Sequence, residues 1–378
     1  MKTPRKEQVI IIGGGLAGLV SAIHLSKKGV SVLLIEKNEY PKHKVCGEYI
    51  SNEVLPYLRS LDFDPIKLGA KQIKKFKLST PKNKVINANL SLGGFGISRY
   101  KLDEALAKKA KANKVEIIED TVTNVVFEND TFFISTKNEN HFQSKIVIGA
   151  YGKRSNIDVK LNRKFIKNTS PFLAVKTHLE GDFPDDLVAL HNFKGGYCGV
   201  SRVENNAINA CYITEFEAFK KYKNIEEFQE QVLFKNTHLK AIFKNSKPLF
   251  SKPLTISQIS FSSKNIIESH MIMCGDTAGM IHPLCGNGMS MAIRSAQMAS
   301  QLILKFFNGE ITSRKVLEDQ YKKAWNNEFK NRLKTGHLVA SLFKMNGFSE
   351  MIMLGLKQFP ELLPKIIKRT HGKPLLSE

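Results

Sequence analysis

Val9, Ile10, Ile11 and Ile12 form the first apolar run of the chain, and their β-branched composition predicts a buried strand. After Gly13, Gly14 and Gly15 the period changes. Leu16, Leu19, Val20 and Ile23 recur at helical intervals, and Gly29 is placed to stop that helix. A second β-branched run, residues 30–35, predicts another buried strand that ends at Glu36. Residues 45–60 read as a loop entering a helix. Residues 71–90 read as two strands around a turn at Pro81, Lys82 and Asn83. In residues 98–113 helical spacing returns, with Leu102, Ala105, Leu106 and Lys109 on one face. Residues 114–155 predict several strands ending in a turn. Residues 171–214 are strand-rich again, with a hairpin turning at Asn205 and Asn206. Helix is expected over 224–243, strand over 271–276, a long helix from about 287 to 307, and helix through most of the remaining C-terminal residues.

The three glycines Gly13, Gly15 and Gly18 stand in G-x-G-x-x-G register between the first strand and its helix. In that context the pattern carries a mechanism. Gly13 permits a tight turn, Gly15 lets a pyrophosphate approach the backbone, and Gly18 lets helix and strand pack closely. The helix N-terminus faces the phosphates, and Glu36, 18 residues beyond Gly18, is placed to take ribose hydroxyls. The chain has no second fingerprint, because "GGFGISR" (93–99) has Arg99 where a third glycine would stand. The fold class expected is therefore α/β. A Rossmann-like nucleotide-binding domain is interrupted by a strand-rich (α+β) substrate domain and succeeded by a C-terminal helical segment. The expected boundaries are 1–70, 96–160 and 266–305 for the discontinuous nucleotide-binding domain. Residues 71–95 and 161–265 form the substrate domain, and 306–378 the helical region.

Charge narrows the partners. The 378 residues carry 57 Lys and Arg against 35 Asp and Glu, a net +22, which suits nucleotide phosphates or an anionic membrane surface. The lysines are spread along the chain and no nucleic-acid motif appears, so nucleic acid is not expected as a partner. No apolar run reaches the 18 or more residues of a spanning helix. Cys46, Cys198, Cys211, Cys274 and Cys285 are scattered without a C-x-x-C pair, which fits a reducing cytoplasm. The tail 351–374 mixes apolar residues with Lys357, Lys365, Lys368 and Arg369. It reads as packing against the nucleotide-binding domain, with peripheral membrane contact as the alternative.

A second motif names the cofactor. "GDTAGMIHPLCGNGM" (275–289) comes after a predicted strand and opens the long helix. It resembles the glycine-aspartate motif of FAD-dependent oxidoreductases on the para-hydroxybenzoate hydroxylase plan, nearest the geranylgeranyl reductase-like branch. "SRYKLDEAL" with Arg99 resembles that family's R-x-x-L helix entry. "KVCGEYIS" resembles its cysteine–glycine loop beside the flavin, and "THGKP" (370–374) resembles its tail. The resemblance implies that Asp276 binds the ribityl and pyrophosphate region. It also implies that Gly286 and Gly288 lie against the flavin's pyrimidine edge. There backbone N–H groups at a helix N-terminus would stabilise negative charge. Motif and resemblance together give FAD as cofactor. They give a binding set of Gly13, Gly15, Ala17, Gly18, Glu36, Lys37, Cys46, Gly47, Arg99, Val122, Gly275, Asp276, Pro283, Gly286, Gly288 and Met289.

Two departures limit what the resemblance implies. "IVIGAYGKRSNID" (146–158) has Tyr151 where the family has an aspartate linked to FAD and nicotinamide contacts, so NAD(P)H as direct donor is in doubt. A reductase or ferredoxin is the donor expected instead. In "GGYCGVSRV" (195–203) Tyr197 is kept, but Gly199, Ser201 and Arg202 replace the Trp, Phe and Pro of prenyl reductases. The reaction expected is reduction or desaturation of a carbon–carbon bond in a hydrophobic small molecule. The alternatives are a monooxygenase acting on an aromatic or polyketide-like substrate, and a non-catalytic flavin-binding module. Catalytic candidates are Cys46, Tyr197 and His282; His191 and Arg202 sit on strands that could face the flavin. No metal-ligand spacing stands out.

Overall fold

A computed structural model describes residues 4–168, 171–257, 259–344, 354–356, 358–359 and 361–376. Its first sheet has the order Ile267–Glu268, Met271–Met273, His141–Gly149, Arg5–Ile12, Val32–Glu36, Glu116–Glu119. Arg5–Ile12 lies at the centre, parallel to both neighbours, and Val9 to Ile12 are buried on both faces. A strand covered on both sides needs a continuous apolar run rather than an alternating one. The hairpin Val122–Glu128/Thr131–Thr136 joins this sheet through His141–Gly149.

Helix α1 (Leu16–Lys27) succeeds the first strand and ends where Gly29 takes a φ of +83°. Residues 16–25 are buried because α1 is sandwiched by helices α2 (Arg99–Ala112) and α3 (Gly288–Phe307). The buried face of α2 is Leu102, Asp103, Leu106, Ala107 and Ala110 rather than a face shared with Lys109. A carboxylate, Asp103, thus takes a position that apolar periodicity would leave to a hydrophobe.

The second sheet runs Lys247–Pro248, Phe172–Glu180, Ile208–Glu215, Gly196–Arg202, Leu187–Phe193, Lys71–Ser79, Val85–Gly96, Tyr49–Ser51. The hairpin expected at Asn205 and Asn206 is present, with both residues at positive φ, 56° and 58°. Residues 45–60 contain a strand the sequence pattern did not announce. Tyr49–Ser51 pairs with Val85–Gly96 before a 3-10 turn and the helix Leu55–Ser60. Residues 224–243 form two helices, Ile225–Gln231 and Thr237–Lys244, instead of one. Asn236 makes the break: its Oδ1 accepts from His238 and Leu239 N–H, and its Nδ2 is drawn to Ser79, Thr80 and Asn192.

Helices α4 (Arg314–Lys344) and α5 (Leu362–Thr370) complete the chain. Residues 351–353, 357 and 360 of the tail lie outside the described residues. The rest packs on the second sheet, where Leu356 and Leu363 join Leu78 and Ile86. The tail then returns to the core around the first sheet through Leu375, whose N–H donates to the Glu53 carbonyl (2.7 Å).

Candidate active site

The parallel strands of the first sheet end at one cavity of about 1170 Å³, lined there by Ile12, Glu36, Ala150 and Cys274. Ligands of open parallel sheets bind outside the carboxyl ends of the strands. This cavity exceeds the roughly 300–1,000 Å³ of most ligand pockets and continues across the second sheet to α5.

At the glycine turn the three fingerprint residues divide their work. Gly13 has φ +103°, and a Cβ there would lie 2.5 Å from the Ala150 carbonyl oxygen. A Cβ on Gly18 would lie 2.0 Å from the Gly13 carbonyl oxygen, so Gly18 closes the turn and does not line the cavity. Gly15 does line it, and the nearest atom to its missing Cβ is Arg99 Nη2 at 3.8 Å. Glu36 is buried. Its Oε2 accepts from Gly14 N–H (2.6 Å), and its Oε1 from Asn38 N–H (3.1 Å) and Nδ2 (2.7 Å). These bonds fix the carboxylate and leave it acceptor capacity. Lys37 and Val122 complete this end, and Ala17 lies under Gly275.

Arg99 enters the cavity from the start of α2. Its Nε and Nη2 donate to the two oxygens of Asp103, each at 2.7 Å, and Lys44 Nζ donates to the same carboxylate at 2.8 Å. Burial alone would raise Asp103 and lower Arg99. The pairing reverses both, holding Asp103 below the carboxylate range and Arg99 protonated.

The adjoining loop is tied to the second sheet by Glu48, a fully buried residue at φ +54°. Its Oε1 accepts from Arg99 N–H (2.7 Å) and Lys176 Nζ, and its Oε2 bonds His178 Nε2 (2.7 Å). Burial would raise this carboxyl, but the His178 bond and Lys176 pull it below its ordinary value. Asn209 Nδ2 adds a bond to the Gly47 carbonyl (2.8 Å). Cys46 and Gly47 are thereby presented to the cavity, with Cys46 Sγ 3.5 Å from Met289 Sδ.

Opposite, Gly275, Asp276, Pro283, Gly286, Gly288 and Met289 line the wall. Gly286 has φ +63°, and α3 begins at Gly288 with no side-chain cap from Asn287. The first N–H groups of a 20-residue helix therefore border the cavity. Lys264 Nζ donates to the carbonyls of Asp276 (2.7 Å) and Lys153 (2.8 Å), and burial lowers its pKa to about 8. Tyr151 also lines the cavity, its hydroxyl 3.7 Å from Met273 Sδ.

A dinucleotide fits these walls. Besides Gly15, a Cβ on Gly47 would meet nothing within 4 Å, and one on Gly288 nothing nearer than 4.0 Å. The cavity is bare of side chains where backbone must be approached. The FAD binding domain family matches residues 6–324. The chain belongs to this family. It is similar to the digeranylgeranylglycerophospholipid reductase of Methanosarcina acetivorans, 25% identical over 90% of this chain and 84% of that one. Among solved structures it resembles a flavin-dependent brominase (18% identical, 97% and 93% covered, TM-score 0.79). It also resembles a "probable FAD-dependent monooxygenase" from Pseudomonas aeruginosa (14% identical, 94% and 100% covered, TM-score 0.74). The protein is an FAD-dependent oxidoreductase.

The remaining candidates separate. Tyr197 lines the cavity, and burial pushes its phenol well up. His282 does not line it: Nδ1 accepts from Leu284 N–H (3.4 Å), capping the turn before Gly286, and the ring packs on Phe261 at 4.8 Å. His191 is bound to Ser79 Oγ (2.8 Å) away from the cavity. Arg202, at the end of a central strand of the second sheet, is held by the Phe183, Asn206 and Gly181 carbonyls and does not line the cavity. Sequence reasoning missed Glu48, Asp103, Lys176 and His178. Only the Arg99–Asp103 spacing of i,i+4 offered a local signal.

Proposed function

We propose that this oxidoreductase reduces or desaturates a carbon–carbon bond in a hydrophobic small molecule. The apolar far half of the cavity supports this reading. Leu78 and Leu190 of the second sheet pack with Leu356, Leu363, Ile366 and Ile367 of the tail there, and Leu90 and Ile213 add to the apolar lining. Such a chamber takes a long apolar substrate and keeps water from it. Bound FAD supplies the two-electron redox chemistry. The chain orients the substrate and holds protons ready. Tyr197 is kept protonated by burial, and the Cys211 and Cys285 thiols are pushed up to about 12. Cys46, half-buried at the junction of the two halves, is the second candidate proton carrier. Of the three departures from the prenyl-reductase strand, only Gly199 lines the cavity, where it widens the chamber beside Leu190 (3.6 Å).

The monooxygenase reading is the alternative, favoured by the fold shared with the Pseudomonas aeruginosa protein. Chemical reduction of the enzyme without air, then addition of polyene, enone and phenol substrates, separates the two. Anaerobic flavin reoxidation with two hydrogens gained by the product is expected. A requirement for oxygen, with one labelled oxygen atom in the product, overturns the proposal. For the donor we propose a protein reductase or ferredoxin. Flavin bleaching by NADH or NADPH in stopped flow should be far slower than turnover, and bleaching at catalytic rates would remove the need for such a partner.

A further inference from the structure

Lys264 is a buried lysine that makes no ion pair among the described residues. Its Nζ donates to two main-chain carbonyls, Asp276 at 2.7 Å and Lys153 at 2.8 Å, and lies 4.3 Å from the centre of the Phe165 ring. The charged groups that face it are Asp276, Asp158, Arg163 and Lys153. Asp158 is already paired with Arg163 Nη1 (2.8 Å), and Arg163 and Lys153 oppose the lysine's charge. Asp276 supports that charge without pairing with it. Burial prevails, and the ammonium's pKa falls to about 8.

The lysine joins two loops of the cavity wall. Lys153 stands just beyond the strand His141–Gly149, and Asp276 in the turn beyond Met271–Met273; both line the cavity, while Lys264 does not. The Asp276 turn abuts the glycine fingerprint, since a Cβ on Gly275 would lie 3.2 Å from Ala17 Cβ in the first turn of α1. That helix N-terminus is where a dinucleotide's pyrophosphate is taken. A second clasp joins the same two loops. Gly152 N–H donates to Thr277 Oγ1 (2.8 Å), and Thr277 Oγ1 donates to the Gly152 carbonyl (3.2 Å). The loops therefore do not rely on Lys264 alone for their shape, and what the lysine adds is its charge.

We infer that Lys264 is a positioning residue for FAD, a cation behind the wall whose counter-charge is the pyrophosphate, and that it makes FAD retention pH-dependent. An anion bound in front of the wall favours the charged lysine. Below pH 8 the lysine is protonated with or without FAD, and affinity is constant. Above pH 8 the apoprotein gives up a proton that the complex keeps, so affinity falls as pH rises.

The test titrates apoprotein with FAD in a calorimeter, in two buffers of different ionisation enthalpy, so that heat reports both affinity and proton uptake. In wild type the dissociation constant should rise about tenfold between pH 7 and pH 9.5, with about half a proton taken up at pH 8.5. Lys264→Met removes the charge. It should bind FAD about tenfold more weakly at pH 7, with no further loss at pH 9.5 and no proton uptake. Lys264→Arg keeps a charge that does not titrate in this range. It should bind as wild type does at pH 7 and hold that affinity at pH 9.5. A lysine that only braced the loops would leave the pH profile of all three proteins the same. Proton uptake equal in wild type and Lys264→Met, or an arginine variant that loses affinity with pH as wild type does, overturns the inference. If the methionine variant does not fold, the arginine variant decides. If neither folds, the wild-type proton number decides: about half at pH 8.5 upholds the inference, and a value near zero overturns it.

Discussion

Glu36 and Asp276 show what a residue's own position can announce. Glu36 ends a parallel strand and Asp276 lies in the turn just beyond another, each near a glycine turn, and each lines the cavity. We propose that both carboxylates bind the FAD, where a charge-assisted hydrogen bond to a ligand is worth about 1.5–3 kcal/mol. Glu36→Ala and Asp276→Ala should each raise the FAD dissociation constant by roughly tenfold or more. Fluorescence titration of apoprotein reads this directly, and an unchanged constant in both variants would remove their assigned roles. The glycines were legible for the same reason: Gly13 and Gly18 are fixed by backbone contacts that no other residue survives. Glu48 was not. Its partners Lys176 and His178 lie 128 and 130 positions away, and nothing local marks a buried carboxylate whose charge is met by so distant a strand. Removing one member of such a buried pair typically costs about 3–5 kcal/mol.

At the scale of elements, hydrophobic period was a sufficient guide where the burial was two-sided or the face was wide. It announced the strands Arg5–Ile12 and Val32–Glu36 and the helices α1 and α3. It failed at Tyr49–Ser51, whose three residues are too few to show a period, and at 224–243, where one asparagine divides a helical pattern. It also hid a pH sensor in α1. His24 lies on the buried face with Nδ1 2.7 Å from Tyr57 Oη, and burial, with Lys28 and Lys27 nearby, lowers its pKa to about 4. Between that value and the ordinary 6.5 the unfolded chain binds a proton that the fold refuses. The stability is complete above pH 6.5 and is lost as pH falls toward 4. His24 alone should cost about 2 kcal/mol between pH 7.5 and pH 5. Urea midpoints at the two pH values should diverge less in His24→Gln than in wild type. An equal divergence would place the acid sensitivity elsewhere, for instance at His191, which burial lowers to about 3.

The whole molecule adds what neither residues nor elements disclose. The second sheet, built from stretches of chain that lie between strands of the first, supplies the far wall of the cavity, and the C-terminal tail closes it. The tail's helical character was readable from its sequence. Its role as a cavity wall was not, since that depends on Leu356 and Leu363 meeting Leu78 and Ile86 from far upstream. The tail's outer surface carries a further consequence. Phe359 and Leu362 are 57% and 42% exposed, and Lys365, Lys368 and Arg369 are exposed on the same stretch. No helix among the described residues is long and apolar enough to cross a membrane. Apolar side chains beside Lys368, Arg369 and Lys365, the last paired with Glu361 (3.0 Å), on a chain of net charge +22, suit the surface of an anionic bilayer, and the chamber's apolar wall lies directly beneath. Each basic residue near such a surface contributes about 1 kcal/mol, screened over roughly 10 Å at 0.1 M salt. The expected result is sedimentation with vesicles containing phosphatidylserine, weakening as salt rises, and reduced about fivefold by each of Lys365→Gln and Lys368→Gln. Equal binding to neutral phosphatidylcholine vesicles, or binding indifferent to salt, would show that charge does not bring this face to the lipid, and an apolar substrate would then have to reach the chamber from solution.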